Sequence, residues 1–372
     1  MKKLLLTSLL FLLLLNINKA FAIEEVSLEP EHLNLGNYIS DMYYGKNENT
    51  PKALKLFSED GLEFENSPIN SVKLIFFYSG HLTYTHKEHI GSVYKHEFNS
   101  VEPKIRVNFN NNKSQAMFDI NLTRDLPGYS NWFTEKLNSV YVSHKITPEQ
   151  TIILGQYARL PNSLDGSTTL FGQDMVNKTQ IGRNFGNVMS AGVRNIAKYK
   201  YVDYDIGLYD STRYMKHFGQ GLDFTGAVTL KPLANVEEKT GSFKIGSGCT
   251  VGKSDVSYFQ YSLYTMYDYK KFHATFEYAN ADGYNGIQQS RNHADGLYGT
   301  LKYDITPKLS IVGRYDIYDS NKDTRGTTTK EYSVGITYKL FKRMKLFLDY
   351  VISEGHNRPM TNAIMFATRF II

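Results

Sequence analysis

The chain has 372 residues, a net charge of +5, one cysteine, 28 tyrosines and 22 phenylalanines. A single cysteine excludes an internal disulfide. Three of the excess lysines lie in the first 22 residues, which leaves about +2 on the remainder, so the composition gives no support for nucleic-acid binding. The mean hydropathy of −0.38 describes a polar chain, in spite of its many aromatic residues.

The N-terminus has the features of an export signal. Lys2 and Lys3 precede an apolar run from Leu4 to Leu15, and Ala20-Phe21-Ala22 fits a small-residue cleavage site. We therefore predict a cleaved signal peptide over residues 1–22. No later apolar run reaches the ~18 residues that a membrane-spanning helix needs.

Residues 23–70 differ from the rest of the chain. They are acidic at first and have weak periodicity, with one short strand pattern in GLEFE at 61–65. We interpret them as an N-terminal extension in the periplasm.

From residue 71 onward, apolar and polar residues alternate, as in strands that have two different faces. In VKLIFFYSGHLTYTH, for example, Val72, Leu74 and Phe76 share one face, and Lys73 and Ser79 lie on the other. The alternation predicts sixteen strands, an even number as in single-chain bacterial barrels. They lie near 71–86, 102–110, 115–123, 137–146, 150–158, 188–197, 199–209, 222–230, 242–251, 255–268, 271–281, 296–305, 308–318, 330–340, 343–353 and 362–372.

The connections between these strands alternate in length. Even-numbered connections are mostly short turns such as NNKS, TPEQ and FKRM, whereas odd-numbered ones are longer, such as KEHIGSVYKHEFNS at 87–100. The third, residues 159–187, is the longest. Short periplasmic turns and long outer loops are typical of bacterial outer-membrane barrels.

These patterns predict an all-β protein in which residues 71–372 form a 16-stranded antiparallel transmembrane β-barrel of the bacterial outer membrane. A Lys or Arg facing the lipid costs roughly 2–4 kcal/mol at the bilayer midplane, and charged positions such as Arg314 fall opposite the apolar residues. A β-sandwich would also alternate, but its connections need not alternate between long and short. We treat it as the less favoured alternative.

One stretch imitates a nucleotide-binding loop. KIGSGCTVGKSDVSY, residues 244–258, contains Gly252-Lys253-Ser254, but Ser247 occupies the first glycine position of the phosphate-binding pattern. The residues that follow are aromatic and do not open a helix. We interpret the stretch as two strands joined by a tight turn, and we predict no cofactor and no metal.

Three stretches resemble the phosphate-selective porin O/P family. DGLEFENSPINSVKLIFFYSGHLTY, residues 60–84, looks like the entry to that family's first strand. ILGQYARLPNSLDGSTTLFGQDM, residues 153–175, is similar to that family's fifth strand and the start of its third loop, and GRNFGNVMSAGV is similar to the return strand. The matching positions are Gly155, Tyr157, Arg159, Pro161, Ser163, Leu164, Asp165, Arg183 and Gly186. The resemblance implies a homotrimer of sixteen-stranded barrels, each with an inward-folding third outer loop that narrows its channel.

The family also implies phosphate transport past lumenal arginines and a lysine cluster. This chain departs from that pattern, because its third loop carries few cations and no lysine cluster is visible in the sequence. The candidate constriction residues of the third loop are Arg159, Lys178, Arg183, Asp165 and Asp174. The candidate pore-lining residues of the strands are Lys73, Lys104, Arg106, Arg194, Lys302, Arg314, Lys345 and Arg369. For each strand residue, the alternative is a salt bridge that braces the barrel wall.

We therefore expect a non-enzymatic outer-membrane porin, a passive diffusion channel for small hydrophilic solutes with a weak preference for anions, including phosphate. The first alternative is a barrel that serves as an adhesin or envelope scaffold through its outer loops. The second is a lipid hydrolase, which needs a serine and a histidine within hydrogen-bond reach on the lipid face. The sequence shows no such pair on an outward stripe.

Overall fold

The computed structural model describes residues 56–57, 61–64, 67–124, 136–157, 162–186, 190–210, 221–253, 257–283, 293–356 and 358–372. The chain separates into two compact units, Met1–Leu33 and Asn34–Ile372, and all described residues belong to the second. The predicted signal peptide, most of the predicted extension and Arg159 lie outside the described residues.

The strands follow the predicted alternation closely. β1 (Leu62–Glu63) lies in the predicted short strand and pairs with Ser71 and Val72 at the start of β2. The sixteen strands that follow are β2 (Ile69–Lys87), β3 (Gly91–Phe109), β4 (Ser114–Ile120), β5 (Leu137–Lys145), β6 (Gln150–Tyr157), β7 (Ser190–Lys198), β8 (Val202–Asp210), β9 (Leu222–Leu230), β10 (Ser242–Lys253), β11 (Ser257–Tyr269), β12 (Phe272–Asp282), β13 (His293–Asp304), β14 (Leu309–Asp319), β15 (Thr328–Phe341), β16 (Met344–Gly355) and β17 (Arg358–Ile371).

The sheet closes on itself. From β2 onward each strand pairs antiparallel with the next, and β17 pairs with β2 over Thr361–Ile371 against Phe77–Lys87. Pairing of the first and last strands satisfies backbone groups that would otherwise form an open edge. The prediction of a 16-stranded antiparallel barrel is confirmed, and the sandwich alternative is wrong.

The two ends of the barrel carry different connections. We call one the turn end, because tight turns join the strands there at 110–113, 146–149, 199–201, 270–271, 305–308 and 342–343. A longer turn at 231–241 contains the short helix Glu237–Thr240. We call the opposite end the loop end. Among the described residues, no helix is long and apolar enough to cross a membrane.

The strands have one apolar and one polar face. Leu301, Val334 and Ile364 are about half exposed, and the residues next to them in the chain point the other way. The opposite face carries buried polar side chains such as Glu277 and Arg314. Exposed apolar side chains on nearly all of the strands are costly in water but fit a hydrocarbon environment.

Two local expectations have clear outcomes. The nucleotide-binding look-alike lies in β10 and the start of β11, so its interpretation as two strands is confirmed. The expectation of a long first outer loop at 87–100 is wrong, because β3 begins at Gly91 and pairs with β2 up to Lys87. Tyr94 packs against Tyr84 across this hairpin, with ring centroids 4.8 Å apart, and such cross-strand aromatic pairs stabilise strands.

Gly155 explains why the alternation in β6 is difficult to interpret. Its φ of +131° is a conformation that residues other than glycine rarely adopt. A Cβ at this position would also lie 2.3 Å from the carbonyl oxygen of Val140. The strand therefore changes its facing here: Ile153 and Gln156 are both buried although their positions differ in parity.

We predict that Leu263→Arg destabilises the barrel in lipid by about 2–4 kcal/mol, because Leu263 is on the apolar face at the middle of β11. The free energy of unfolding by denaturant, measured in lipid vesicles, tests this. Leu263→Phe keeps the position apolar and serves as the control. Equal stability of the two variants would contradict the assignment of this face to lipid.

Candidate functional site

Residues 162–186 lie in the connection between β6 and β7, and we call them the third-loop segment. The segment contains two short helices, Leu164–Ser167 and Gln180–Asn184. Ser163 Oγ accepts a hydrogen bond from Gly166 N at 3.2 Å, and Thr179 Oγ1 accepts one from Gly182 N at 2.9 Å. These are ordinary N-cap bonds, so the local sequence itself begins each helix.

The two arms of the segment are joined to each other. Asp165 Oδ2 accepts hydrogen bonds from both the backbone N and the hydroxyl of Thr179, each at 2.8 Å. Lys178 Nζ donates to the carbonyl oxygen of Gly166 at 2.8 Å. Gly166 and Gly186 pack backbone to backbone, and a Cβ on Gly166 would lie 2.2 Å from the Cα of Gly186. Asp165 and Lys178 therefore shape the segment from within.

Three carboxylates on the polar face of the strands accept hydrogen bonds from backbone N–H groups of the segment. The bonds run from Leu164 N to Glu277 Oε1 (2.7 Å), from Gln180 N to Asp316 Oδ2 (2.6 Å) and from Val176 N to Asp349 Oδ2 (2.6 Å). All three carboxylates are almost completely buried. A buried carboxylate without such donors is costly, so each acid and its backbone partner stabilise one another.

Cationic side chains on the same face donate to carbonyl oxygens of the segment. The bonds run from Arg369 Nη1 to Leu170 O (2.6 Å) and Met175 O (3.2 Å), from Arg369 Nη2 to Val176 O, from Lys345 Nζ to Phe171 O (2.8 Å) and from Arg314 Nη1 to Asn177 O (2.9 Å). Hydrogen bonds to charged groups are each worth roughly 1.5–3 kcal/mol. The irregular backbone of the segment is therefore satisfied by charged side chains.

Two ion pairs add to this contact. Lys302 Nζ lies 2.9 Å from Asp174 Oδ1, and Arg183 Nη2 lies 2.7 Å from Glu331 Oε2. The side chains of Asp174 and Arg183 are more than a third exposed, so solvent weakens these pairs. The main effect of these two ion pairs is to orient the side chains of Asp174 and Arg183, and their contribution to the stability of the fold is small.

Apolar side chains also contribute to the contact between the segment and the strands. Ile181 and Phe185 are fully buried in a cluster with the strand residues Tyr209, Tyr258, Ala279, Ala281, Ala294, Tyr298 and Tyr318. Val176 is buried in a second cluster, with Phe347, Val351, Met365 and Ala367. Burial of a Phe or Ile side chain is worth about 1.5–3 kcal/mol. The segment thus packs on the polar face of the strands through both charged and apolar contacts.

The structure brings eight of the predicted site residues together at this segment: Asp165, Asp174, Lys178, Arg183, Lys302, Arg314, Lys345 and Arg369. Most of them hold the segment in place. Arg159 lies outside the described residues. That these side chains line a pore stays a prediction.

The other predicted strand residues lie elsewhere on the polar face. Lys104 Nζ bridges the buried carboxylates of Glu102, at 2.5 Å, and Asp119, at 2.9 Å. Arg194 forms an ion pair with Asp205. Lys73 lies directly opposite Arg106 in the pairing of β2 with β3. For Lys104 and Arg194, the salt-bridge alternative therefore describes the observed contacts.

Two parts of this arrangement are not among the residues predicted from the sequence. The first is Glu331, which shares the polar face of β15 with Ser333. Glu331 alternates in sequence with Tyr332 and Val334 of the apolar face, and this alternation is a signal that could have placed it on the polar face. The register of β15, β16 and β17 also places Lys339, Lys345 and Arg369 directly opposite one another. No sequence signal shows this row, because the three residues come from separate strands.

No family model matches the chain, and no curated protein matches it. Solved structures show its fold. OmpF of Salmonella typhi aligns with a TM-score of 0.61 at 10% identity, over 83% of this chain and 100% of that chain. The anion-selective porin from Comamonas acidovorans aligns with a TM-score of 0.60 at 12% identity, over 81% and 99%. The outer-membrane channel DcaP of Acinetobacter baumannii aligns with 0.57 at 12%, over 83% and 99%.

The chain therefore has the fold of the bacterial outer-membrane porins. Identities this low show the fold alone. The resemblance to the phosphate-selective porin O/P family stays a hypothesis, since none of these findings singles out that family.

We predict that Gly166→Val separates the two arms of the segment, because a side chain there meets the backbone of Gly186. Amide hydrogen exchange over residues 162–186 is expected to rise at least about tenfold, as in a locally destabilised region. Gly299→Val is the matched control, because a Cβ at Gly299 meets nothing within 4 Å. Unchanged exchange in Gly166→Val would contradict the close packing of the arms.

Proposed function

We propose that this protein is a porin of the bacterial outer membrane, a passive water-filled channel for small hydrophilic solutes. The closed barrel supports this, since its apolar face suits lipid and its polar face suits a water-filled lumen. The third-loop segment packs on that polar face, so we infer that it lies in the lumen and narrows it. A narrowing of this kind selects solutes by width and by charge.

A weak preference for anions follows from one observation. Lys339, Lys345 and Arg369 lie opposite one another in adjacent strands, and Phe171 and Leu170 of the segment accept hydrogen bonds from the last two. Carbonyl oxygens satisfy these donors without neutralising their charge. We infer that this positive row faces the channel beside its narrowest part and attracts anions.

Single-channel recording in a planar bilayer tests the proposal. We expect stepwise conductance of the purified barrel, and under a KCl gradient a reversal potential that shows greater permeability to chloride. Lys339→Gln combined with Lys345→Gln is expected to reduce the chloride-to-potassium permeability ratio about twofold or more, because fixed charge raises the local concentration of counter-ions.

Lys330→Gln is the control. Lys330 is on β15, as Lys339 is, but it lies at the loop end and alternates onto the same face as the apolar residues. A folded barrel that never conducts would contradict the channel and favour the adhesin or scaffold alternative. A channel whose permeability ratio is unchanged by the double substitution would contradict the role of the positive row.

Phosphate and oligomeric state are finer parts of the same proposal. Inhibition of the chloride current by low phosphate concentrations would support phosphate as a preferred solute, and its absence would leave a general porin. We also propose a homotrimer, by resemblance, which chemical cross-linking in the membrane tests.

A further inference from the structure

The charged side chains on the polar face are unevenly distributed along the barrel. Five cations lie within two residues of the turn end of their strands: Lys244, Lys302, Lys339, Lys345 and Arg369. Arg106 is three residues from the turn end of β3, directly opposite Lys73. Like charges that face each other across a ladder are destabilising, so this end of the barrel concentrates positive charge at a cost in stability.

Acidic residues at the turn end do not cancel this charge. Asp203 pairs with Lys231 at 2.8 Å, and Asp205 pairs with Arg194. Asp268 and Asp304 flank His273, at 2.8 and 3.1 Å. Of the clustered cations, Lys302 also approaches Asp304, at 3.9 Å, and pairs with Asp174 of the segment. Among the described residues, no ion pair involves Lys244, Lys339, Lys345 or Arg106.

The half of the barrel toward the loop end has no comparable excess of cations. Asp223, Asp316 and Glu331 lie within three residues of the loop end of their strands, and Glu277 lies five residues from the end of β12. Arg183 of the segment pairs with Glu331, and Arg314 lies on the same face of β14 as Asp316. Backbone N–H groups satisfy Glu277 and Asp316 without supplying a full positive charge.

From this axial separation of charge, we propose that the channel rectifies: it conducts ions more readily in one direction than in the other. The inference rests on the proposed function, because it requires an open channel. We call the turn-end part of the barrel that carries the clustered cations the positive zone. Anions carry nearly all of the current in this zone, whereas anions and cations share the current in the rest of the channel. Salt therefore accumulates at the boundary under one polarity and is depleted there under the other.

The direction of rectification follows from the same balance. When the compartment at the loop end is positive, anions leave the positive zone faster than the next zone removes them, and cations arrive from the other side. Salt accumulates and the conductance rises. When the polarity is reversed, salt is depleted and the conductance falls.

Current recorded at equal voltages of opposite sign tests the proposal. In about 0.1 M KCl the screening length is about 10 Å, and we expect the two currents to differ about 1.5-fold or more. In about 1 M KCl the screening length falls to about 3 Å, and the difference is expected to disappear. A cysteine introduced as Asp323→Cys at the loop end, in a Cys249→Ser background, reports the orientation of each channel through a membrane-impermeant thiol reagent.

The double substitution Lys339→Gln with Lys345→Gln is expected to reduce the difference between the two currents by at least half. Lys330→Gln is expected to leave this difference unchanged. Equal currents at low salt from an open wild-type channel would overturn the rectification and leave the porin function standing. Rectification that persists in about 1 M KCl would also overturn it, because fixed charge is screened there. No current from a folded barrel would instead overturn the channel itself, and the rectification with it.

Discussion

The structure depends on the hydrogen bonds between buried charged side chains of the strands and the backbone of the third-loop segment. An irregular segment has few backbone partners of its own, and unsatisfied backbone groups are costly away from water. Glu277, Asp316 and Asp349 supply acceptors, and Arg369 supplies several donors. The same bonds satisfy the buried charges, so neither partner is stable without the other.

This constraint changes the meaning of a charged polar face. A count of lysines, arginines and acids along the strands suggests a ring of solute-binding groups. The contacts divide these side chains into three groups. The first binds the segment, as Arg314 does, and the second forms salt bridges within the barrel wall, as Lys104 does. The third, which includes Lys339, forms no ion pair among the described residues, so its positive charge is not neutralised. Solute selection, in the function we propose, belongs mainly to the third group. Hydrogen bonding to carbonyl oxygens nevertheless leaves the net charge of Lys345 and Arg369 intact, so these residues serve both purposes.

Much of the fold was predictable because a barrel strand has a strict period of two. A residue on the wrong face would put charge into lipid or an apolar group into water, so the alternation survives in nearly every strand. It fails where the backbone itself departs from the strand conformation, as at Gly155. The first hairpin was mistaken for a loop for a different reason. Lys95, His96 and Glu97 look like loop residues, and only their pairing partners on β2 show that they form a strand.

Local periodicity is enough to predict the strand number, the two faces, the short turns and the candidate charged residues, because each of these depends on neighbouring positions in the chain. Local sequence also begins the two helices of the third-loop segment, because Ser163 and Thr179 cap them. Which strand charges contact the segment, and which lie opposite one another, is visible only in the folded barrel. Lys339, Lys345 and Arg369 become neighbours through register between strands, and Asp349 meets Val176 although 173 positions separate them in the chain. Register and long-range contact depend on how the whole barrel closes, and no local pattern encodes that closure.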